Sequence, residues 1–204
     1  MPHGPLHCRI RPAPSLQPRT SPMPRLLAVL LGGNCAPKSN TELHDVVFVA
    51  GDRIEDTYAD LCELWFGTLP GLHVDSWVEL DVVDGHRVTL ARQRPGSGPK
   101  LYFINLGGYR SGEFAELHAR SFLVGASEDE VKRRAKAAWN EAAARAGGLE
   151  SVHTDDLYEV DECLEIGEVS GWHVQLEPTD EPATTRPHNG WLPLPEDLLA
   201  GTDR

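Results

Sequence analysis

The amino-acid sequence predicts an α+β fold, in which two tandem, pseudo-symmetric β-β-α-β-β repeats pack together between disordered, Pro-rich termini. The main observation is a set of motifs that occurs twice in the same order. The first set is Gly32-Gly33, Glu42-Leu43-His44, Trp65 and a row from His73 to Asp81, and the second is Gly107-Gly108, Glu116-Leu117-His118, Trp139 and a row from His153 to Asp161. The offset between the sets is 75 residues at the glycines, 74 at Glu-x-His and 80 at the rows. Constant offsets within motifs, with length changes between them, are typical of a duplicated unit.

Apolar runs in the first copy predict four strands and one helix. The predicted strands are Leu26–Leu31, Leu43–Ala50, Trp77–Val83 and His86–Arg92. Asp84-Gly85, between the last two strands, is a strong signal for a two-residue hairpin turn. We expect a short helix that begins with Asp52 or Asp56 as its N-cap and ends at Trp65.

The second copy repeats this order with a longer helix. Its first two strands are predicted at Leu101–Leu106 and Leu117–Val124. Ser127 and Glu130 have the spacing of a capping box for a helix over Glu128–Arg145. In place of the Asp-Gly turn we expect a longer loop before the last strand, Trp172–Leu176.

These patterns divide the chain into four parts: a disordered or mis-annotated extension over residues 1–24, copy one over 25–95, copy two over 99–177, and a loose tail over 178–204. The extension has many prolines and no sustained apolar run, and we expect translation to start at Met23. In the tail only Trp191 and Leu192 are expected to dock. Each copy alone is small for a stable core, so we expect the two to pack on each other.

Charge and cysteine content exclude several classes of function. The chain has 19 Lys and Arg against 31 Asp and Glu, a formal charge of −12, so nucleic acid and anionic membranes are not expected partners. The four cysteines form no CxxC pair, which favours reduced thiols and a cytoplasmic location. No stretch has the length and hydrophobicity of a membrane span.

Three segments carry a resemblance to a known family. They are Leu31-Gly32-Gly33-Asn34, the run from Thr41 to Val49, and His73-Val74-Asp75-Ser76-Trp77. These segments resemble the bacterial family known as domain of unknown function 1543, whose members have one or two copies of the domain. The resemblance covers both copies, and it implies no activity, ligand or catalytic residue.

Glu-x-His is the first candidate site. On a strand the two side chains share a face, because successive side chains alternate. If a pseudo-twofold axis passes nearby, four side chains converge: Glu42, His44, Glu116 and His118. Such a set suits zinc, manganese or iron. Two other interpretations stay open, namely a structural Glu–His hydrogen bond between the copies and acid–base catalysis by histidine.

The His-x-Asp-x-x-x-Glu-x-Asp row is the second candidate site. Its members are His73, Asp75, Glu79 and Asp81 in copy one, and His153, Asp155, Glu159 and Asp161 in copy two. On one regular strand they share a face, where they suit a hard divalent cation. The simpler interpretation, which we favour, is an acidic face turned to solvent.

The glycine pairs Gly32-Gly33 and Gly107-Gly108 follow apolar strands, and we interpret them as tight turns with positive φ rather than as an anion site. We therefore expect a protein that binds a small ligand or divalent metal at paired Glu-x-His sites. The alternatives are a metal-assisted or His/Glu acid–base hydrolase and a non-catalytic interaction module. The sequence identifies no substrate, catalytic residue or oligomeric state.

Overall fold

The structure is a computed structural model that describes residues 23–35, 39–109, 112–146, 158–183 and 186–200. Strands dominate this part of the chain. The elements are β1 (Arg25–Asn34), β2 (Leu43–Gly51), a 3₁₀ helix (Ile54–Thr57), α1 (Tyr58–Leu64), β3 (Thr68–Glu79), β4 (Val82–Val83), β5 (His86–Ala91), β6 (Lys100–Tyr109), β7 (Glu116–Gly125), α2 (Glu128–Ala146), β8 (Tyr158–Glu165), β9 (Glu168–Val169), β10 (Trp172–Pro178), β11 (His188–Pro193) and α3 (Glu196–Leu199).

The strands form three antiparallel sheets. Their orders are β11-β3-β1-β2, β7-β6-β8 and β4-β5-β10-β9. Together with the few helices they confirm the α+β class predicted from the sequence. Across the described ranges, no helix combines the length and the hydrophobicity needed to cross a membrane.

The central strand β1 is buried on both faces, which explains its continuous apolar run. One face, with Leu27 and Val29, packs with α1. The other, with Leu26 and Ala28, packs against β6. Phe48, Phe103 and Phe122 meet in this shared core, with ring centroids 5.6 to 6.4 Å apart. We call β1 to β5 the first half of the chain and β6 to β10 the second half. The first and second sheets thus share apolar surface that neither half buries alone.

The hydrogen-bond registers of the first and second sheets correspond from Leu27 to Gly32 in β1 and from Tyr102 to Gly107 in β6. Gly32 pairs with His44 on β2 and with His73 on β3. Gly107 pairs with His118 on β7 and with Glu159 on β8. The position matched to His73 by register is therefore Glu159, not His153 as the 80-residue offset predicted. Residues His153 and Asp155 lie outside the described residues.

The two hairpin turns also correspond. Asp84 and Gly85 have φ of 49° and 72°, which confirms the predicted two-residue turn between β4 and β5. Ser170 and Gly171, between β9 and β10, have φ of 49° and 73°. The longer loop predicted there is wrong, because a serine occupies the left-handed position that Asp84 takes in the first turn.

The two helices begin differently from one another. At α2 the cap by Ser127 is confirmed, since the backbone N–H of Glu130 donates to Ser127 Oγ. The reciprocal bond of the capping box is shifted by one residue, because Glu130 Oε2 accepts from the N–H of Ala126 rather than of Ser127. The cap predicted for α1 is wrong. The chain there enters a 3₁₀ helix after Arg53, and no side chain caps that helix or α1, so neither Asp52 nor Asp56 has this role.

Each turn contacts the helix of the other half. The Asp84 carboxylate accepts two hydrogen bonds from Arg134 of α2, at 2.7 and 2.8 Å, and a third from the backbone N–H of Val124. Ser170 Oγ donates to Asp60 of α1 at 2.8 Å. These polar contacts join the halves at the edge of the shared core.

The prediction of a loose tail over residues 178–204 is wrong for its described part. β11 pairs with the outer edge of β3, and Leu192 packs into the core under α1. Leu194 is only 3% exposed in the same core. Two apolar side chains thus anchor a Pro-rich segment whose composition resembles a disordered tail. Residues 1–22 lie outside the described residues.

Candidate functional site

Four polar side chains converge above Gly32, and we call them the Gly32 cluster: Glu42, His44, His73 and Asp75. Their position follows from the order of the strands. Because β1 lies between β2 and β3, the residues that pair with Gly32 bring their side chains over it from both sides. Gly32 has no side chain, so the space above it is left to these neighbours.

Asp75 of the cluster lies at a β-bulge of β3. Leu30 pairs with Ser76 and the next residue, Leu31, pairs with Val74, so Asp75 is an extra residue on β3. A bulge bends its strand and re-aims a side chain, and bulges occur often beside functional sites. The Asp75 carboxylate lies on the same side as His73, as residues two apart on a strand do, and the bulge changes the facing of the residues that follow.

The bulge also contradicts part of the predicted row. Beyond it the alternation is reversed, so Trp77 packs into the core under α1 while Val78 packs into the shared core. The expected common face of His73, Asp75, Glu79 and Asp81 is therefore wrong. Glu79 forms an ion pair with Arg25 at 2.5 Å, and Asp81 lies 3.6 Å from Arg87.

Ligand atoms of Glu42, His73 and Asp75 all lie within 4.8 Å of one another, and His44 joins this triad through one nitrogen–oxygen contact to each carboxylate. His73 Nε2 is 3.3 Å from Glu42 Oε1 and 3.2 Å from Asp75 Oδ1. His44 Nε2 is 3.1 Å from Asp75 Oδ2 and 3.5 Å from Glu42 Oε2. Each imidazole nitrogen thus faces an oxygen of both carboxylates.

The backbone fixes the orientation of the His73 ring. His73 Nδ1 lies 2.9 Å from the carbonyl oxygen of Gly71, a residue whose φ of 87° is accessible to glycine without strain. A carbonyl only accepts hydrogen bonds, so we infer that Nδ1 carries a proton. In the neutral ring the lone pair is then on Nε2, which points into the cluster, as in many metal-binding histidines.

One carboxylate oxygen in the cluster has no hydrogen-bond partner. Asp75 Oδ2 is buried and unsatisfied, although His44 Nε2 lies 3.1 Å away. His44 Nε2 is close to this oxygen but does not donate a hydrogen bond to it. An unsatisfied buried polar atom is costly and requires an explanation, such as a bound ion.

Gly32 leaves room that no other residue type would leave. A Cβ at this position would lie 2.6 Å from His73 Nε2 and 2.7 Å from Asp75 Oδ2. Gly33 faces the opposite side, where a Cβ would lie 2.9 Å from the Trp65 ring. Both glycines lie inside β1, and Gly107 and Gly108 lie inside β6, so the predicted turns at these glycines are wrong. Close approach of side chains, rather than a positive φ, explains the pair in β1.

The cluster is buried on one side and open on the other. The side chain of His73 is 6% exposed and that of Asp75 is 26% exposed. His44 and Glu42 are 41% and 45% exposed. Two cavities of about 340 and 520 Å³ are lined by other residues, at the starts of β1 and β6. The cluster is therefore a shallow site rather than the bottom of either cavity.

The second Glu-x-His pair, Glu116 and His118, is not part of the Gly32 cluster. His118 Nε2 is 3.8 Å from Glu116 Oε2 on β7. By register, Glu159 and Asp161 are on β8 at the positions of His73 and Asp75. The structure thus groups Glu42 and His44 with His73 and Asp75 of the second candidate site. The sequence instead predicted that Glu42 and His44 meet Glu116 and His118 between the copies.

Two of the described cysteines, Cys62 and Cys163, are poorly suited to form a thiolate. Burial raises the pKa of the Cys62 thiol and of the Cys163 thiol above the ordinary value of 9.0. Since the thiolate is the nucleophile and the metal ligand, both residues are poorly suited to either role.

Comparison with known proteins identifies the family. The chain is similar to the crystal structure of a protein Il1583 from Idiomarina loihiensis, with 32% sequence identity and a TM-score of 0.64, over 85% of this chain and 99% of that chain. Residues 39–90 match the model of the Domain of Unknown Function (DUF1543). This chain belongs to the DUF1543 family. The segment that matches the DUF1543 model contains all four residues of the Gly32 cluster. No curated protein matches the chain.

Sequence reasoning placed His73 and Asp75 second among the candidates, because charged side chains along a strand usually form a face turned to solvent. No residue pattern signals the bulge at Asp75, since Val74, Val78 and Leu80 are all apolar and fit either face. An available signal was Gly32, because a glycine inside a strand often marks a close approach.

Proposed function

We propose that this DUF1543 protein binds one divalent transition-metal ion through the Gly32 cluster. The observation that carries the proposal is the buried, unsatisfied Asp75 Oδ2, which faces the cluster together with the Nε2 atom of His73. Two carboxylates balance the charge of a divalent ion. Two imidazoles and two carboxylates form a donor set that zinc, manganese and iron accept.

The spacing of the ligand atoms of Glu42, His73 and Asp75 supports a shared ion over mutual hydrogen bonds. Charge-assisted N–H···O hydrogen bonds are about 2.7–2.9 Å long, and all four separations here exceed that. Ligands about 2.0–2.2 Å from a tetrahedral ion lie roughly 3.3–3.6 Å from one another. The 3.2 and 3.3 Å separations around His73 approach this value.

We also propose that the two halves descend from one duplicated unit. Corresponding registers, the two positive-φ turns and the ion pairs Arg25–Glu79 and Lys100–Glu165 at matched positions support this proposal. At the matched positions of the second half, Glu159 stands in place of His73. A position with one imidazole instead of two suits transition metals less well, so we expect the tightly bound ion in the first half.

Metal-assisted hydrolysis is the second candidate function. The half-exposed side chains of Glu42 and His44 favour it, because a catalytic metal needs a position open to water and substrate. A metal bound there with all its positions filled by protein atoms would support a structural role instead.

The metal content of purified protein tests the proposal. We expect about one Zn²⁺, Mn²⁺ or Fe²⁺ per chain by inductively coupled plasma mass spectrometry, and loss of this ion in His44→Ala and Asp75→Asn. The matched control is His118→Ala in the second half, which should keep the ion. If the wild type holds no metal and divalent ions do not raise its Tm, the proposal is wrong.

A further inference from the structure

The C-terminal strand β11 places an aromatic side chain beside the Gly32 cluster. The ring centroids of Trp191 and His73 are 5.7 Å apart, with an angle of 47° between the planes. Trp191 is 68% exposed, which is unusual for the largest apolar side chain. The open surface of the indole is therefore available to a molecule that approaches the cluster.

A second bulge directs Trp191 to this position. Asn189 pairs with Ser76 and Leu192 pairs with Val74, so Gly190 and Trp191 together lie opposite the single residue Asp75. The bulges of β3 and β11 thus face each other at the cluster. Gly190 has φ of 144°, a conformation that L side chains rarely adopt, although a Cβ there would meet no atom within 4 Å. Backbone conformation rather than space explains the glycine.

Contacts on both sides of this bulge hold β11 in place without Trp191. On the N-terminal side, His188 stacks on Trp77 with centroids 3.9 Å apart, and Ser76 Oγ donates to Asn189 Oδ1 at 2.8 Å. On the C-terminal side, Leu192 and Leu194 pack into the core. Since these contacts position the strand, the exposed indole is not needed to anchor it.

From this arrangement we propose that Trp191 is a specificity residue for a planar, ring-bearing ligand that binds the metal through an oxygen donor. The inference rests on the proposed metal site. A ligand that enters from the open side, near Glu42 and His44, places its donor on the ion and its ring against the indole. Two carboxylates already neutralise a divalent ion, so selectivity arises from ring contact more than from ligand charge.

A pair of probes with the same metal-binding group tests this role. Benzohydroxamic acid and acetohydroxamic acid differ in a phenyl ring against a methyl group, and their affinities for metal-loaded protein are measured by calorimetry. An aromatic pair contributes enough for a preference of roughly two- to tenfold. We expect Trp191→Ala to reduce the preference for the phenyl compound by that factor at unchanged metal content, and Trp191→Phe to restore most of it.

The outcomes separate the two proposals. If metal-loaded wild type and Trp191→Ala discriminate equally between the two hydroxamates, the role of Trp191 is wrong while the metal site stands. If the wild type retains no metal and neither probe binds, the metal site is wrong and the role of Trp191 is lost with it.

Discussion

Replacing Gly32 with alanine should weaken metal binding strongly through a single methyl group. A Cβ at Gly32 would lie 2.6 Å from His73 Nε2, whereas ordinary van der Waals contact begins at 3.4 Å. The ring or β1 must therefore move by about 0.8 Å, several times the roughly 0.2 Å by which metal–ligand distances vary. Loss of an outer-shell partner costs about 10–100-fold in metal affinity, so we expect Gly32→Ala to cost at least about 100-fold.

The matched control is Gly33→Ala, one residue along the same strand. Its Cβ would lie 2.9 Å from Trp65 on the opposite face, so it should reduce the free energy of unfolding by about 1–3 kcal/mol, as overpacking does. It should leave metal affinity unchanged. Calorimetric titration with Zn²⁺ and Mn²⁺ and thermal unfolding distinguish the two effects. Wild-type affinity in Gly32→Ala would refute the assignment of His73 and Asp75 as ligands.

Three further predictions concern stability. Asp84→Asn should reduce the free energy of unfolding by about 1–2 kcal/mol in urea titrations, because it weakens the ion pair with Arg134. Asparagine tolerates the φ of 49° at this position, so the backbone of the turn is kept. An effect no larger than that of the surface control Glu168→Gln would contradict this. Leu194→Ala should reduce the free energy of unfolding by about 2–4 kcal/mol, as measured by thermal unfolding, and Trp191→Ala should reduce it much less, because of these two only Leu194 is buried. Equal effects of the two variants would show that β11 is anchored differently. The free energy of unfolding should fall as the pH rises above about 9, because burial raises the pKa of the Cys62 thiol in the folded state, so the unfolded chain releases its proton first. Cys62→Ala should show a smaller decrease over the same range.

Local signals predicted much of the fold. Apolar runs located β1, β2, β6 and β7, the Asp84-Gly85 pair located a turn, and the capping box located the start of α2. Each depends on neighbouring residues, whose preferences are readable without the tertiary structure. The second turn was missed because Ser170-Gly171 is a weaker turn signal than Asp-Gly, although its conformation is the same.

The site was harder to predict because it depends on register. Matching residues by type aligned His153 with His73, whereas the pairing of β8 with β6 puts Glu159 at that position. The offset of 86 residues between Gly85 and Gly171, if it is applied also to His73, gives Glu159, which is the match that the structure shows. The order of the C-terminal segment depends on tertiary contacts as well. Leu192 and Leu194 hold this Pro-rich segment in place only because β3 offers an edge for pairing and the core under α1 accepts both side chains.

Anomalous diffraction from crystals grown with Mn²⁺ or Zn²⁺ tests the central claim most directly. We predict a peak about 2.0–2.2 Å from the Nε2 atoms of His44 and His73, with Glu42 and Asp75 completing the coordination. The absence of a peak there, with Asp75 Oδ2 hydrogen-bonded to His44 or to water instead, would contradict the account.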